Sequence, residues 1–442
     1  MNHLLLSNCT ILTFSPEKPL IEKSSILIQN GEISKIASIN EFKDYSGESL
    51  DFSGKIVMPG LINAHHHFYS TLVKGLTKAE PAVNFNEVLK NLWWRLDIKL
   101  QEEDIYFSTL LSIIEAIKHG TTTIIDHHAS PGNVKGSLKT ISKAVEESGI
   151  RACLCYEVSD RDGEKVTSDG INENIDWLKR VSKEDNQFLK GLFGMHAAFT
   201  LSDKTLEKIS EVSRDLDCGF HLHVAEAQSD EDYSIRHFNK RVVERLAYFG
   251  LLNDKSIAAH CVHINDKEME ILADKGVGVV HNPQSNLNNA VGIANVIKMV
   301  NKGLIVGLGT DAMTNNMLEE IRVALWAQHW RQENPSVGFG EIGSTLTINN
   351  PLIANRYWQK PLGIIKEGYA ADIIALDYLP PTPLTEQNWL GHLIYGISQS
   401  AVDTTIINGK VLFWNKQLFL DIEEEETTRK SQEIAQKLWN RF

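Results

Sequence analysis

Histidines stand close together in the stretch MPGLINAHHHFYST near the start of the chain. Residues two apart on a β-strand face the same side, so His65 and His67 could reach one metal ion while His66 points elsewhere. Imidazole nitrogen is a good ligand for zinc and also for iron or nickel. Taken alone, the pattern fits either a metal site or a hydrogen-bonded polar cluster, and other segments must decide.

Three later segments offer the groups that would complete such a site. In HLHVAE, His223 could be a third ligand, and Glu226 could take a proton from a bound water or be an ordinary first-turn helix residue. In GLGTDA, Asp311 could be both ligand and base, or a helix N-cap. In AAHCVH, His260 could hydrogen-bond the attacking water or a developing oxyanion, whereas His263 suits a structural or rim position.

Strand-like and helix-like segments alternate through the middle of the chain and would position these residues. Eight such units in order predict a (β/α)8 TIM-like barrel, with two open doubly wound sheets as the alternative. The carboxyl ends of barrel strands face one mouth, where histidines at strand ends would collect. Histidines in or just after the strand candidates are His65, His66, His67, His127, His128, His196, His221, His223, His260, His263 and His281.

The two ends of the chain predict a second, smaller domain. Near the N-terminus, SSILIQNGEISKIAS carries an Asn-Gly hairpin turn between two alternating runs, and TTIINGKVLFWN repeats that pattern near the C-terminus. We therefore predict a small β-sandwich built from residues 1–57 and 359–442, around a metal-dependent barrel of residues 58–358. Four consecutive glutamates at 423–426 lead into a polar tail, which we predict to be helical.

Composition narrows the class of protein. The 442 residues are 42% hydrophobic and 23% charged, with a net charge of −13, which argues against a broad nucleic-acid or anionic-membrane surface. No apolar run reaches the roughly 18 residues that a membrane span needs, and the start lacks the features of a signal peptide. Five cysteines without a CxxC pair suit a reducing compartment, so we expect a cytoplasmic location.

The four histidine and carboxylate segments, in this order, resemble the amidohydrolase superfamily. Within it, they resemble the mononuclear-metal aminohydrolase and chlorohydrolase branch. PGLINAHHH is similar to the branch's PGxxNxHxH, HLHVAE to HxxE and AAHCVH to its AHC motif, and KEGYAADIIALD resembles EPGKxADLVxLD. HNPQSN and GLGTD are similar to its last two strand-end motifs. NLWWRLD, IDHHASP and EVSDRDG look like the SsnA group of aminohydrolases, and HHHFY is similar to 8-oxoguanine-type deaminases.

The resemblance implies a role for each matching residue. His65, His67, His223 and Asp311 match metal ligands, Glu226 a proton shuttle, and His260 the residue that orients water and stabilises the oxyanion. His196 matches a substrate-contacting histidine, although Met195 and Ala198 replace two prolines of the pattern. The lysine that bridges two metals in binuclear relatives is absent after the fourth strand, which favours one divalent metal per chain. That metal would be zinc in the first place, or iron or manganese.

Loops at the mouth would select the substrate. Arg161 could pair with an oxo group or carboxylate, or form a surface ion pair with Asp160 or Asp162. One of His127 and His128 could line the pocket. Aromatic residues that could stack on a flat ring, or belong to the core, are Tyr69, Trp93, Trp94 and Phe199. The family's pocket segment is matched by His281, Asn282, Ser285 and Asn286.

These observations predict a metal-dependent hydrolytic deaminase of the cyclic amidine type. It would release ammonia from an amino-substituted heterocycle such as an oxopurine, pterin or pyrimidine. The alternatives are a hydrolase of a C–Cl or C–N-alkyl bond on a triazine-like ring, and a metal-free, non-enzymatic binding protein. We expect a small-molecule substrate, no nucleic-acid or membrane partner, and a homodimer or higher homo-oligomer.

Overall fold

Strands and helices alternate through the middle of the chain, as the sequence predicts. The computed structural model describes residues 3–184 and 186–442. Its strands are β1 (His3–Leu12), β2 (Leu20–Gln29), β3 (Glu32–Ala37), β4 (Glu48–Asp51), β5 (Ile56–Pro59), β6 (Leu61–His66), β7 (Thr121–Asp126), β8 (Arg151–Leu154), β9 (Leu189–Gly191), β10 (Phe193–Ala197), β11 (Phe220–Val224), β12 (Ile257–His260), β13 (Gly278–His281), β14 (Ile305–Leu308), β15 (Ile373–Leu376), β16 (Val402–Ile407), β17 (Lys410–Trp414) and β18 (Gln417–Leu418).

Helices follow most of the barrel strands and cover the outside of the barrel. They are α1 (Phe85–Val88), α2 (Trp94–Asp97), α3 (Glu102–Lys118), α4 (Ser137–Ser148), α5 (Glu164–Lys183), α6 (Asp203–Val212), α7 (Gln228–Phe238), α8 (Val242–Tyr248), α9 (Asp266–Asp274), α10 (Pro283–Asn288), α11 (Val296–Asn301), α12 (Met317–Arg331), α13 (Phe339–Ser344), α14 (Asn350–Ala354), α15 (Trp389–Tyr395) and α16 (Glu424–Arg441). The α6 helix begins after Ser202, whose hydroxyl accepts a hydrogen bond from the Thr205 amide. Within the described ranges, none of the helices is long and apolar enough to cross a membrane.

Strands β6 to β14 form the predicted barrel. They make two parallel sheets, in the orders β6-β7-β8-β9 and β10-β11-β12-β13-β14, and a single residue, Leu192, separates β9 from β10. The first and last strands meet where the carbonyl of His65 accepts hydrogen bonds from the amides of Thr310 and Asp311, each at 3.0 Å. This closure brings the carboxyl ends of all the barrel strands to one mouth.

The strands at the two ends of the chain join one nine-stranded sheet. Its order is β18-β17-β16-β15-β5-β1-β2-β3, with β4 paired to β1, and β15 runs antiparallel to β5. The predicted Asn30-Gly31 turn joins β2 to β3, and Gly31 has the positive φ of 77° that such a turn needs. The expected sandwich is not confirmed, because the nine strands share one hydrogen-bonded sheet. The domain boundaries stay predictions, and residues 1 and 2 lie outside the described residues.

A buried ion pair fixes this terminal sheet to the barrel. Arg151 on β8 donates from Nε to Asp372 Oδ2 at 2.7 Å and from Nη2 to Asp372 Oδ1 at 3.2 Å. At the far end of the chain, α16 returns to the barrel, where Trp439 Nε1 donates to the Leu72 carbonyl at 2.8 Å. Arg95 Nη2 donates to the Phe442 carbonyl at 3.0 Å. The segment beside the barrel mouth is therefore held from outside by the last helix.

Candidate metal and catalytic site

Four predicted ligands converge at the barrel mouth. His67 Nε2 lies 3.2 Å from His223 Nε2 and 3.0 Å from Asp311 Oδ1, and His65 Nε2 lies 3.7 Å from the same carboxylate oxygen. They come from the end of β6, from β11 and from the loop after β14, so strand register sets their spacing. Three imidazoles and one carboxylate, all buried, make a donor set that suits one divalent cation.

The side-chain chemistry of these residues also fits a metal. His67 Nδ1 donates to the His127 carbonyl at 2.5 Å, which leaves the Nε2 lone pair free for a ligand. Among the described residues, His65 Nε2 has no hydrogen-bond partner. Burial lowers the pKa of His65 and His223 well below the usual range, so both rings are neutral. Although burial opposes it, the neighbouring imidazoles, that of His67 first, hold the pKa of Asp311 well below its usual value.

Strained backbone aims two of the site's side chains into the mouth. His260 and Asp311 have φ values of 72° and 52°, in the left-handed region that non-glycine residues rarely adopt. Gly309 allows the tight turn before Asp311, because a Cβ there would lie 2.6 Å from Asn282 Oδ1 and 2.9 Å from His65 Cβ. The small residues of GLGTDA are therefore needed for this close approach.

Glu226 and His260 face the ligand set from one side. Glu226 Oε2 lies 3.6 Å from His260 Nε2, which is 3.9 Å from Asp311 Oδ2. Burial, followed by the charge of Asp311, raises the pKa of the Glu226 carboxyl well above its usual range, which favours the form that can donate a proton. Asn286 Nδ2 donates to His260 Nδ1 at 2.8 Å, so His260 Nε2 carries the ring hydrogen and points to the site.

A cleft opens above these residues. Its lining includes the predicted substrate residues Tyr69, Arg161 and His196, together with Trp93, Trp94 and Phe199. Ligand residues His67, His223 and Asp311 lie at its floor with Glu226. The structure therefore brings most of the predicted pocket to one place.

His281 and Asn282 are not among the residues that line this cleft. Both are buried, and Asn282 Nδ2 donates to the Val280 carbonyl at 3.4 Å. The chain turns into α10 directly after them, so Ser285 and Asn289 reach the cleft instead, and Ser285 hydrogen-bonds Asp311. The sequence match placed the right segment near the pocket but could not tell which of its faces is turned inward.

Neither His127 nor His128 lines the cleft. His127 lies behind the ligand set, where its carbonyl accepts from His67, and His128 Nε2 lies 2.9 Å from Ser130 Oγ. His263 Nε2 donates to the Val291 carbonyl at 2.7 Å, which is a structural contact. These three histidines therefore support the mouth without facing the substrate space.

Arg161 is both a cleft residue and part of an ion pair. It contacts Asp97 and donates from Nε to Asp162 at 2.9 Å, with its guanidinium 5.3 Å above the Trp94 ring. Although burial opposes it, the charges of Asp97 and Asp162 raise the pKa of Arg161 above its usual range. The expected partner Asp160 instead accepts from the Ser202 amide at 2.7 Å. The positive charge of Arg161 is therefore already matched within the wall.

Glu157 is a buried cleft residue to which the sequence reasoning gave no role. Its Oε1 lies 3.2 Å from His67 Nδ1 and 3.4 Å from His127 Nδ1, and has no hydrogen-bond partner in the described part of the chain. It follows β8 in the EVSDRDG stretch. The rule that identified the other residues, a polar group just past a strand, would have found it.

The barrel has eight strand positions, with β9 and β10 sharing one, and a buried cluster of histidines and an aspartate lies at its mouth. This combination is typical of metal-dependent hydrolases built on a barrel. The chain belongs to the amidohydrolase family, whose model matches residues 56–412. This confirms the expected hydrolase acting on carbon–nitrogen bonds other than peptide bonds. The buried set also supports the expectation of one divalent metal per chain.

Related proteins cover nearly the whole chain. A 5-methylthioadenosine/S-adenosylhomocysteine deaminase of Thermoanaerobacter pseudethanolicus is 32% identical over 429 residues, which is 96% of each chain. A 5'-deoxyadenosine deaminase of Methanocaldococcus jannaschii is 32% identical over 425 residues, covering 94% of this chain and 97% of its own. The crystal structure of an adenosine deaminase from Xanthomonas campestris with bound zinc superposes with a TM-score of 0.87 at 21% identity, covering 98% of both chains. This last likeness shows the shared fold.

Proposed function

We propose that this chain is a metal-dependent deaminase that releases ammonia from an amino-substituted, purine-like ring. One observation carries the proposal. The carboxyl of Glu226 and Nε2 of His260 both face the point where His67, His223 and Asp311 meet. The names of the relatives, which are deaminases of adenosine-type compounds, support the choice of ring.

The site residues divide the reaction between them. His65, His67, His223 and Asp311 would hold one divalent metal, zinc in the first place or iron or manganese, which would supply Lewis acidity and lower the pKa of a water molecule. Asp311 is a carboxylate at rest and accepts a proton from the attacking water. Glu226 donates its proton to a ring nitrogen, the departing amino group receives the proton that Asp311 took from the water, and the second proton of that water returns to Glu226 as the carbonyl forms.

His260 stabilises the negative charge that develops as water adds to the ring. Its Nε2 hydrogen is fixed by the bond that Asn286 gives to Nδ1, so no reorientation is needed when charge appears. The left-handed backbone at His260 holds the ring at this angle. We assign His260 as the oxyanion donor, and Asn286 as the residue that positions it.

The substrate ring occupies the cleft between aromatic side chains. Trp94 and Phe199 line it, and each packs edge-on against His196, at centroid distances of 6.4 Å and 5.8 Å. A flat heterocycle gains both apolar contact and ring stacking in such a space. Oxopurines, pterins and pyrimidines all meet this description. The cytoplasmic location and the homodimeric or higher assembly stay predictions.

The test is ammonia release by metal-quantified protein from aminopurines, oxopurines, aminopterins, cytosines and adenosine derivatives. We expect release from at least one class. Glu226→Gln should lower kcat on that compound by about 10²- to 10⁴-fold, because Gln cannot deliver the proton. Metal content should stay the same.

Glu207→Gln on the exposed face of α6 is the matched control, and its kcat should be unchanged. Two results would contradict the proposal. One is no ammonia from any compound with one metal bound per chain. The other is full activity in Glu226→Gln.

A further inference from the structure

Glu157 presents a carboxylate to the cleft that the proposed reaction does not use. It is 5% exposed and lies in the wall between His67 and His196. The Oε1 atom is enclosed beside the Nδ1 atoms of His67 and His127, without a hydrogen-bond partner among the described residues, and Oε2, the oxygen on the side of His196, is 4.0 Å from His196 Nε2. Such a distance is too long for a hydrogen bond, so the two side chains are neighbours and not partners.

His196 faces the same space with a lone pair. Thr200 Oγ1 donates its hydrogen to the Ala197 carbonyl at 3.0 Å, so it can only accept from His196 Nδ1, which is 2.9 Å away. The ring hydrogen of His196 is therefore on Nδ1, and Nε2 is an acceptor. Glu157 and His196 together form a pair of hydrogen-bond acceptors on one wall of the cleft.

The other charged group of this wall does not bond the pair. Arg161 donates to Asp97 and Asp162, and none of its hydrogen bonds in the described part of the chain reaches Glu157 or His196. A ligand that offers only acceptors to Glu157 would leave a buried carboxylate unpaired. The free-energy cost of that unpaired group would discriminate strongly against such a ligand. The pair therefore demands a donor.

We propose that Glu157 determines specificity by accepting, with His196, a hydrogen bond from an N–H edge of the substrate ring. The substrate would then carry a second N–H donor besides its departing amino group, either a lactam N–H or a further amino group. This inference rests on the proposed function. In an N9-substituted adenine the amino group is the ring's sole hydrogen-bond donor, and it lies at the reaction centre. Such a ring has no second N–H to donate to Glu157 and His196.

Matched pairs of compounds test the proposal in the wild-type protein. The first pair is 9-methylisoguanine and 9-methyladenine, and the second is 9-methylguanine and 9-methyl-2-aminopurine. Within each pair the departing amino group is the same, and one member alone has the lactam N–H. In at least one pair, we expect kcat/KM to favour the lactam by about 10- to 100-fold, the usual value of a hydrogen bond to a charged group. Equal rates, or a preference for the member without the lactam, would overturn the proposal.

The Glu157→Gln variant separates ring recognition from support of His67. If Glu157 accepts a hydrogen bond from the substrate ring, the variant loses most of the kcat/KM preference for the lactam compound over its matched partner. Its metal content stays unchanged. If Glu157 merely orients His67, both members of the pair slow equally and metal content falls, which would refute the proposal. Glu164→Gln, exposed at the start of α5, is the matched control.

Binding measurements keep this inference separate from the proposed function. If no compound releases ammonia, the proposed function fails, and calorimetry with the same pairs still tests the wall. If the lactam compound of each pair binds more tightly, and this difference disappears in Glu157→Gln, the proposed hydrogen bond to Glu157 and His196 is supported even without turnover. Equal binding of both members would reject it.

Discussion

Buried polar groups are treated differently at the barrel mouth and at the junction between the barrel and the terminal sheet. At the junction, Arg151 makes two bonds to Asp372 and a third to the Gln187 carbonyl, and Asp372 also accepts from the Asn408 amide at 2.7 Å. At the mouth, His65 Nε2 and Glu157 Oε1 are as deeply buried, yet have no partner in the described part of the protein.

The contrast separates structural polar groups from functional ones. A buried polar atom without a partner costs about 1–3 kcal/mol, so several such atoms side by side indicate a place where a ligand, an ion or water satisfies them. Paired charges at the junction hold two parts of the fold in one orientation. Unpaired atoms at the mouth form a site that is ready for a metal and a substrate.

The largest expected effect breaks the junction. Arg151→Met should lower the free energy of unfolding by about 3–5 kcal/mol, because it leaves the Asp372 carboxylate buried and unpaired. Urea denaturation measures this change. Metal content at the mouth should be unaffected in the folded protein.

The double variant Arg151→Met with Asp372→Leu is the control. It removes both charges and should recover most of the lost stability, since no charge is left unpaired. A single variant that loses less than about 1 kcal/mol would show that the junction pair is not required.

Metal removal should act on the mouth and spare the junction. A metal present at 100 times its dissociation constant stabilises the folded state by about 2.7 kcal/mol, and a chelator removes this contribution. Hydrogen exchange should rise at the Asp311 amide, which bonds the His65 carbonyl, and stay low at the Asn408 amide, which bonds Asp372. An equal rise in the hydrogen-exchange rates of both amides on metal removal would contradict the distinction drawn between the mouth and the junction.

The last expected effect is the smallest for a single step, about 1 kcal/mol for each pH unit, and concerns the mouth. Burial raises the pKa of Asp230 to about 7, and its carboxyl accepts from the amides of Glu226 and Ala227. The folded state then holds a proton that the unfolded state loses near pH 4. This contribution to stability is fully present below about pH 4 and is lost as pH rises through 7.

Asp230→Asn should remove that dependence. Compared with the variant, wild-type protein should lose about 1 kcal/mol of unfolding free energy for each pH unit between 4 and 7. Urea denaturation at three pH values measures the difference. Parallel pH profiles for the two proteins would mean that Asp230 titrates alike in the folded and unfolded states.

Local pattern was enough to predict the barrel, and to name four residues that the structure brings together. Strand-end histidines such as His65 and His223 stand beside alternating apolar runs, and the parallel sheet then fixes where they meet. The tail helix and the two Asn-Gly hairpins were predicted for the same reason, since each depends on residues close together in sequence.

Contacts between distant segments were beyond prediction. The side chains around Glu157 come from the ends of β6, β7 and β10, so its role depends on how three strands align. The pairing of Arg161 with Asp97 likewise needs the wall segment around Trp94 to fold over the mouth. The single terminal sheet, where a sandwich was expected, depends on the pairing of β15 with β5.

The seam that closes the barrel has a consequence for folding. Asn63 Nδ2 donates to Thr310 Oγ1 at 2.6 Å across 247 positions of the chain, and His65 and Asp311 are bonded in the same seam. Contacts of such long range form late, after shorter loops have closed. Because His65 and Asp311 are also proposed metal ligands, we expect the full ligand set to form only when the first and last strands of the barrel pair. Metal binding would then show that the barrel has closed.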